Sequence, residues 1–559
     1  MPHLDEYPRP QLERESYISL NGTWEYAIRK NIAIPYSFDG NIEVPYSPET
    51  PLSGVNKMLL PGEWLFYRKE LIFPKGFIKD KVILHFGAVD QIAEIFINDI
   101  FVGSHTGGFL PFSFDIEPYL NKKKNVLIVR VKDVSDTSYH SRGKQKIKRG
   151  KIWYSPQSGI YMPVWMESVS FDYIKGIKLT PDVSNSIIKI IVNTDSEKVK
   201  CEFNGANLSL KPNIENTIKL KDVHLWSPED PFLYYFTLKT PHDKVHSYFA
   251  MREVKMMDDE KGIKRLFLNG KPYFMKGLLD QGYYQNGYLT PTSDEDYIND
   301  IQLAKDLGFN TLRKHIKIES LRWYYHCDRL GMLVWQDFVN GGGKYNFLTI
   351  SLPVFIGAHY KDNKYAKLAR KDKKGRFEAE EEFKETINLL YNSPSIVLWT
   401  IFNEGWGQFD SERIYNQLIK IDNTRLYDHA SGWVDQGISD VKSMHVYFKR
   451  FNMPKEKDVK NRAVILSECG GYALKIANHT FNKTTFGYKG LKNKEDLHKE
   501  YEKFLKLDII PNIEKGLCAF IYTQLSDVED ELNGFITYDR EVVKVNKEKI
   551  FLLNKSVKY

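Results

Sequence analysis

The chain has 559 residues, of which 27% are charged, with a formal net charge of +7 and four cysteines. That length exceeds what one hydrophobic core organises, so roughly two to four domains are expected. The lysine excess is spread along the chain, no stretch approaches a membrane span and the cysteines lack metal-ligand spacing, so the composition argues against nucleic-acid, membrane and metal-cluster proteins.

The stretch from Met1 to Pro10 has neither an apolar leader core nor a cleavage pattern, which makes a cytoplasmic, reduced protein the default. Residues 1–172 read as all-β. Short apolar runs recur between turn signals: Trp64 to Phe73, Val82 to Phe86, Ala93 to Ile97 and Val126 to Val131. Asn98-Asp99 is a hairpin turn between two of them. Many short strands without helices describe a jelly-roll β-sandwich. Gly107 to Phe112 reads either as a loop reaching another domain or as a plain turn.

Residues 173–258 carry further strands, Ser186 to Val192 and Tyr234 to Leu238, with Trp226 to Pro231 as a rigid turn. About seven short strands and no helix suit an immunoglobulin-like sandwich. No chemistry is visible there, and its expected task is to couple its neighbours.

From 259 to 559 the pattern changes. A hairpin at Arg265 to Pro272 precedes a strand, Phe274 to Leu279, that ends in Asp280. A helix follows, with Ser293 as cap and Tyr297, Ile298, Ile301, Ala304 and Leu307 on one face. Next come a strand at Phe309 to Arg313, a helix at Leu321 to Leu330, a strand at Leu333 to Asp337 and a long helix at Phe377 to Tyr391. The preceding run, Lys361 to Arg376, reads either as an anion patch or, since Glu378 to Glu382 follows, as a solvated loop. The alternation continues through Ile396 to Thr400, Ser411 to Asp422, Arg425 to His429, Met444 to Tyr447, Ala463 to Glu468, Asp496 to Leu507 and Ala519 to Gln524. Strand and helix alternating this way predict a (β/α)₈ barrel, so the expected whole is a multidomain β plus α/β protein; no further domain is expected.

Two buried strands end in carboxylates: Asn403-Glu404, and Ser467-Glu468 beside Cys469. Glycoside hydrolysis needs one carboxyl group to protonate the leaving oxygen and another to attack or stabilise the anomeric carbon. A lone glutamate after a strand is equally a helix cap or ion-pair partner; two, each followed by glycines, favour chemistry. Cys469 reads as packing, since no histidine partner is visible.

The domain order and several motifs resemble glycoside hydrolase family 2. They are Gly62 to Arg68, Phe86 to Asp90, Gly103 to Gly108 with Pro111 to Asp115, Ser158 to Trp165, Asn310 to His315, Asn403-Glu404 and Ser467-Glu468. The resemblance implies that Glu404 is the acid/base, Glu468 the nucleophile of a retaining mechanism, Asn403 the holder of the sugar 2-hydroxyl and Arg313 the cation beneath Glu468. It also points to Asp280, His315, Asp337, Trp406, His445, Tyr447 and Gln524 as substrate contacts, with Trp433 an alternative platform. Asp280 reads equally as a turn residue, and His315 as a structural hydrogen-bonding group. No Asn-x-Lys follows Glu468, which lowers the case for a uronic-acid glycone, although Lys442, Lys449 or Arg450 stand as substitutes. No metal and no cofactor are expected. The expected activity is that of an exo-β-glycosidase on oligosaccharide ends, β-galactosidase-like, with a β-glucuronidase or a non-catalytic sugar-binding protein as alternatives. Homo-oligomers are common in the family, but no interface is legible.

Overall fold

The computed structural model describes residues 4–350, 360–447, 449–483 and 485–559; Met1 to His3 of the N-terminal stretch lie outside the described residues. The first unit is a sandwich of two antiparallel sheets. One has six strands, ordered Gly40–Val44, Gly22–Arg29, Trp64–Leu71, Asn125–Lys132, Ile92–Ile97 and Ile100–Thr106. The other has four, ordered Tyr17–Ser19, Val164–Val169, Lys81–Phe86 and Phe112–Asp115. Alternate side chains of both sheets, among them Trp24, Tyr67, Val129, Leu84 and Met166, meet in one core. Asn98 and Asp99 both take positive φ, 52° and 65°, the geometry of a tight hairpin.

The second unit packs seven strands, from Ile174–Asp182 to Lys244–Phe249, into sheets of three and four around a separate core. It couples its neighbours as expected. Arg14, near the N-terminus, bonds Glu167 of the first sandwich and Asp243 of the second. Toward the third unit, fully buried Trp226 donates its Nε1–H to the Asp328 carbonyl at 2.7 Å, and Tyr248 donates its hydroxyl to the Asp328 carboxylate at 2.8 Å.

The third unit is a parallel barrel. Its strands are β1 (Met275–Asp280), β2 (Thr311–Lys314), β3 (Leu333–Asp337), β4 (Ile396–Thr400), β5 (Leu426–Asp428), β6 (Val441–Val446), β7 (Ala463–Gly470) and β8 (Leu517–Thr523). They pair in the order β5-β4-β3-β2-β1-β8-β7-β6. Asp440 spans the remaining gap between β5 and β6: its N–H donates to the Tyr427 carbonyl at 3.2 Å and its carboxylate accepts from the Tyr427 N–H at 2.8 Å. β3 and β4 are buried at every position, apolar up to Trp335 and Trp399 before their polar ends.

Local chemistry sets the helix ends. The helix α1 (Asp294–Asp306) begins after Ser293, whose N–H is accepted by the Asp296 carboxylate at 3.3 Å. The next, α2 (Leu321–Leu330), is capped by Ser320 and stops at Gly331, with φ of 75°. The long helix α3 (Lys373–Leu390) starts four residues earlier than the expected Phe377, because Asp372 caps it through the Gly375 N–H at 2.9 Å. The basic run is therefore not wholly a solvated loop. Arg370 is 2% exposed and donates Nε–H to the Gly407 carbonyl at 2.9 Å, tying this segment to the loop after β4.

The Gly107 to Phe112 loop does reach another domain. Phe109 joins the barrel's own hydrophobic cluster, and the Gly108 carbonyl accepts from Tyr161. The four cysteines are free and buried; Cys469 donates to the Ile521 carbonyl, and burial pushes its thiol well above its ordinary value, so it packs rather than reacts.

Candidate active site

Beyond β4 the chain keeps pairing with the extension of β5: Glu404 N–H donates to the Ser431 carbonyl at 2.9 Å, and Ser431 N–H to the Phe402 carbonyl at 2.7 Å. Glu404 holds φ of 52°, a left-handed conformation that costs a non-glycine residue energy and occurs at sites where a side chain must be aimed. Gly407, with φ of 70°, follows; a Cβ there would stand 2.2 Å from the Gly341 carbonyl. On the opposite side, pairing between β7 and β8 slips between Leu466 and Cys469, and β6 slips against β7 between Met444 and His445. These irregularities set Glu468 opposite His445.

One carboxylate oxygen from Glu404, one from Glu468 and a ring nitrogen of His445 all lie within 4.8 Å of one another. Both carboxylates are buried. His445 Nδ1 is 2.8 Å from Glu404 and 3.5 Å from Glu468, while its Nε2 is 3.0 Å from the Ser431 hydroxyl. Tyr447 donates to Glu468 and lies 3.0 Å from Thr523 Oγ1. Arg313, fully buried on β2, is the hub. It holds Asp337 in a two-point contact at 2.9 Å each, Glu468 at 3.2 Å, the Ser467 carbonyl at 3.0 Å and Asn403 Oδ1 at 2.8 Å. His315 Nδ1 lies 2.7 Å from Asp337.

The two glutamates are pushed apart in acidity. Burial raises Glu404 above the ordinary value of 4.5, the negative charge of Glu468 adds to this, and the His445 contact opposes it. Burial would raise Glu468 too, but the charges of His445 and Arg313 and the Tyr447 hydrogen bond overcome it and hold the group at about 2. His315 is lowered to about 4 by burial and by the charge of Lys144. A neutral His315 that donates Nδ1–H to Asp337 leaves Nε2 free to accept from a hydroxyl.

Eight of the eleven residues named from the sequence thus meet directly or through one partner: Glu404, Glu468, Arg313, His315, Asp337, Asn403, His445 and Tyr447. Asp280 ends β1, but its oxygens are taken by Lys314 Nζ and the Gly282 N–H, at 2.7 and 2.8 Å. Gln524 follows β8 and is engaged with Gln281 and Asn533, each at 2.8 Å. Trp406 packs on Trp153, with ring centroids 5.0 Å apart, and faces the first domain. Three buried polar groups near the centre lack hydrogen-bond partners among the described residues: Asn403 Nδ2, Trp433 Nε1 and both amide atoms of Asn340. Trp433 packs edge-on to His445 at 5.4 Å. None of the residues offered as lysine substitutes is drawn in: Lys442 pairs with Asp435, Arg450 with Asp508, and Lys449 is exposed.

Which part of the first sandwich contributes is not legible in the sequence. Its segment from Ser141 to Ser155 lies over the barrel mouth. Ser141 bridges Gly341, Arg149 pairs with Glu529 and Asp530, and Tyr154 donates to Glu531 at 2.5 Å. This segment brings Lys144 beside Trp406. Nothing in its local pattern distinguishes it from a surface loop. As to metals, the Glu404, His445, Glu468 trio and a separate group of His479, Asp539 and Glu541 have donors close enough to share a cation.

Three family models match the chain: "Glycosyl hydrolases family 2, sugar binding domain" over 62–166, "Glycosyl hydrolases family 2" over 173–252, and "Glycosyl hydrolases family 2, TIM barrel domain" over 260–474. A β-galactosidase of Thermoanaerobacter pseudethanolicus is 24% identical over 443 residues, which are 73% of this chain and 54% of that protein. A β-glucuronidase of Streptococcus agalactiae is 24% identical over 427 residues, 71% of this chain and 68% of that protein. The chain thus spans little more than half of that galactosidase. Among solved structures, a β-galacturonidase from Eisenbergiella tayi bound to galacturonate superposes with a TM-score of 0.72 at 18% identity, covering 99% of this chain and 100% of that one. A β-D-glucuronidase from Dictyoglomus thermophilum gives a TM-score of 0.75 at 19% identity, covering 98% of both chains. With its three units matched in order, this chain belongs to glycosyl hydrolases family 2.

Proposed function

We propose that the protein is a retaining exo-β-glycosidase that removes terminal, non-reducing β-linked sugars by double displacement. The observation that carries this reading is the separation of Glu404 and Glu468, whose nearest oxygens lie within 4.8 Å. Retaining enzymes hold their two carboxyl groups about 5–5.5 Å apart, whereas inverting ones leave about 6.5–9.5 Å for a water. Glu468, ionised and backed by Arg313, attacks the anomeric carbon. Glu404, kept protonated by burial and by the charge of Glu468, donates to the leaving oxygen. Once Glu468 is esterified its charge is gone, so one cause of the raised pKa of Glu404 disappears. Glu404 then accepts a proton from the attacking water. Asn403 Nδ2, unpartnered while Oδ1 is held by Arg313, is the donor we assign to the sugar 2-hydroxyl. The segment over the barrel mouth supports action at chain ends. The three domains we infer are 1–172, 173–258 and 259–559.

A galactoside glycone is expected from the sequence, and relatives are named for both galactosides and glucuronides. A non-catalytic sugar-binding role would not require two opposed carboxylates with separated acidities. The test is a panel of nitrophenyl β-glycosides with the Glu468→Gln variant as control. Turnover of at least one glycoside, lowered more than about 10³-fold in a variant that keeps its Tm, is expected. Equal activity in the variant would sink the assignment.

A further inference from the structure

We propose that the site takes an anionic glycan, and that Lys144 contacts the acidic substituent, a carboxylate or sulfate ester, of the sugar bound between Glu404 and Glu468. The proposal rests on the glycosidase reading above and narrows its substrate class.

Lys144 is 6% exposed. Among the described residues its Nζ has no carboxylate at ion-pair distance and no hydrogen-bond acceptor. It lies by the ring of Tyr154 at 5.5 Å and that of Trp406 at 5.9 Å, and its charge also acts on Glu404 and His315. The other buried lysines of the barrel differ. Lys314 meets Asp280 and Glu319, Lys317 meets Glu319, and Lys544 meets Asp527. A cation that the fold holds in the pocket without an anion of its own is open to an anion supplied by a ligand. Lys144 is also held in place. Its carbonyl accepts from Tyr154 N–H at 3.0 Å, and the Arg142 and Gly143 N–H groups donate to the Asn340 carbonyl at 3.0 and 3.3 Å. The same Asn340 carries the unpartnered buried amide, which offers a second donor beside the lysine.

A second feature points the same way. A cleft of 1220 Å³ borders this segment, lined by Lys146, Lys148, Lys344, Lys371 and Lys373 against Asp136 and Asp372. Both aspartates are occupied by backbone donors, Ile147 N–H and Gly375 N–H. None of the five lysines is in an ion pair among the described residues. Alternate residues of one segment, Lys144, Lys146 and Lys148, therefore run from the catalytic centre into the cleft. Lys146 lies over the ring of Trp153, which itself packs on Trp406. An acidic oligosaccharide fits this charge pattern, with its end sugar at Lys144 and the rest along the cleft.

The test is calorimetric binding to the Glu468→Gln protein, which decides whether or not the enzyme turns over. D-Glucuronate and D-galacturonate are compared with D-glucose and D-galactose. The acids are expected to bind about 10- to 150-fold tighter, the range for a charge-assisted hydrogen bond. Adding Lys144→Met should erase that preference and Lys144→Arg should keep most of it. The methionine variant should retain its Tm, since no hydrogen bond or ion pair of Nζ is lost. Equal affinity for acids and neutral sugars, or a preference that survives Lys144→Met, overturns the proposal. For the cleft, oligogalacturonate affinity should fall with added salt, and a salt-independent affinity removes the cleft from the proposal. Lys144-dependent binding without turnover of any glycoside would defeat the glycosidase reading alone. Cleavage of neutral glycosides with no Lys144 dependence of binding would defeat the anionic reading alone.

Discussion

Glu468 is ionised because its neighbours His445, Arg313, His315 and Tyr447 outweigh its burial. The Tyr447 hydroxyl is one of them. Replacing Tyr447 with Phe removes a hydrogen bond to a charged group, worth about 1.5–3 kcal/mol. In the mechanism we propose, Glu468 is the nucleophile and must be ionised, so activity is present above its pKa and lost as pH falls through it. Without Tyr447 that value rises from about 2, and the acid limb of kcat/KM should move to higher pH. Glu404 has the opposite sign. As the proposed acid, Glu404 must be protonated, so activity is lost as pH rises through a value above 4.5, and Tyr447→Phe should leave that limb nearly where it was. A pH–rate profile in which only the basic limb moved would contradict these roles.

At the level of single elements, catalytic precision depends on how loops leave the strands. The loop after β4 carries Glu404 and must turn within three residues while touching the loop after β3. Gly407 permits this, with φ of 70° and the Gly341 carbonyl 2.2 Å from where a Cβ would be. Gly407→Ala combines left-handed strain with a backbone clash, and a loss of about 2–4 kcal/mol is expected. Thermal unfolding gives the stability loss. A larger fall in kcat than in 1/KM would show that the acid is displaced rather than the substrate lost. An alanine variant with unchanged Tm and kcat would show that the loop has room the geometry denies.

For the whole molecule, the sandwiches are part of the barrel's construction. Trp226 seats the second sandwich against the barrel at Asp328, and the Ser141 to Ser155 segment of the first covers its mouth. Trp226→Ala should cost about 3–5 kcal/mol. Because it loosens one junction, calorimetry should show a broadened or split transition in place of a single one. A uniform small shift in one sharp transition would mean that the junction does not transmit stability.

Much was legible locally. The strand ends that carry Glu404 and Glu468 stand out because a buried strand is an apolar run and its polar terminus is abrupt. The α2 and β3 bounds fall where the periodicity puts them, since helix caps and strand alternation act over a few residues. The basic run leading into α3 is only partly a solvated loop, because buried Arg370 acts through Gly407 and Tyr139, both distant in sequence, while Asp372 caps the helix locally through Gly375. Other features needed the folded chain. The closeness of Glu404 to Glu468 depends on a slipped register in β7, and the Arg313 hub depends on three different strands converging. The segment that carries Lys144 is drawn over the pocket by contacts between domains, over separations of up to 381 residues, as from Arg149 to Asp530. The amino-acid sequence by itself placed two carboxylates at the ends of buried strands, because residue type and strand ends are local properties. Tertiary structure alone decided their surroundings, because burial and charge pairing arise from groups that the chain brings together only by folding.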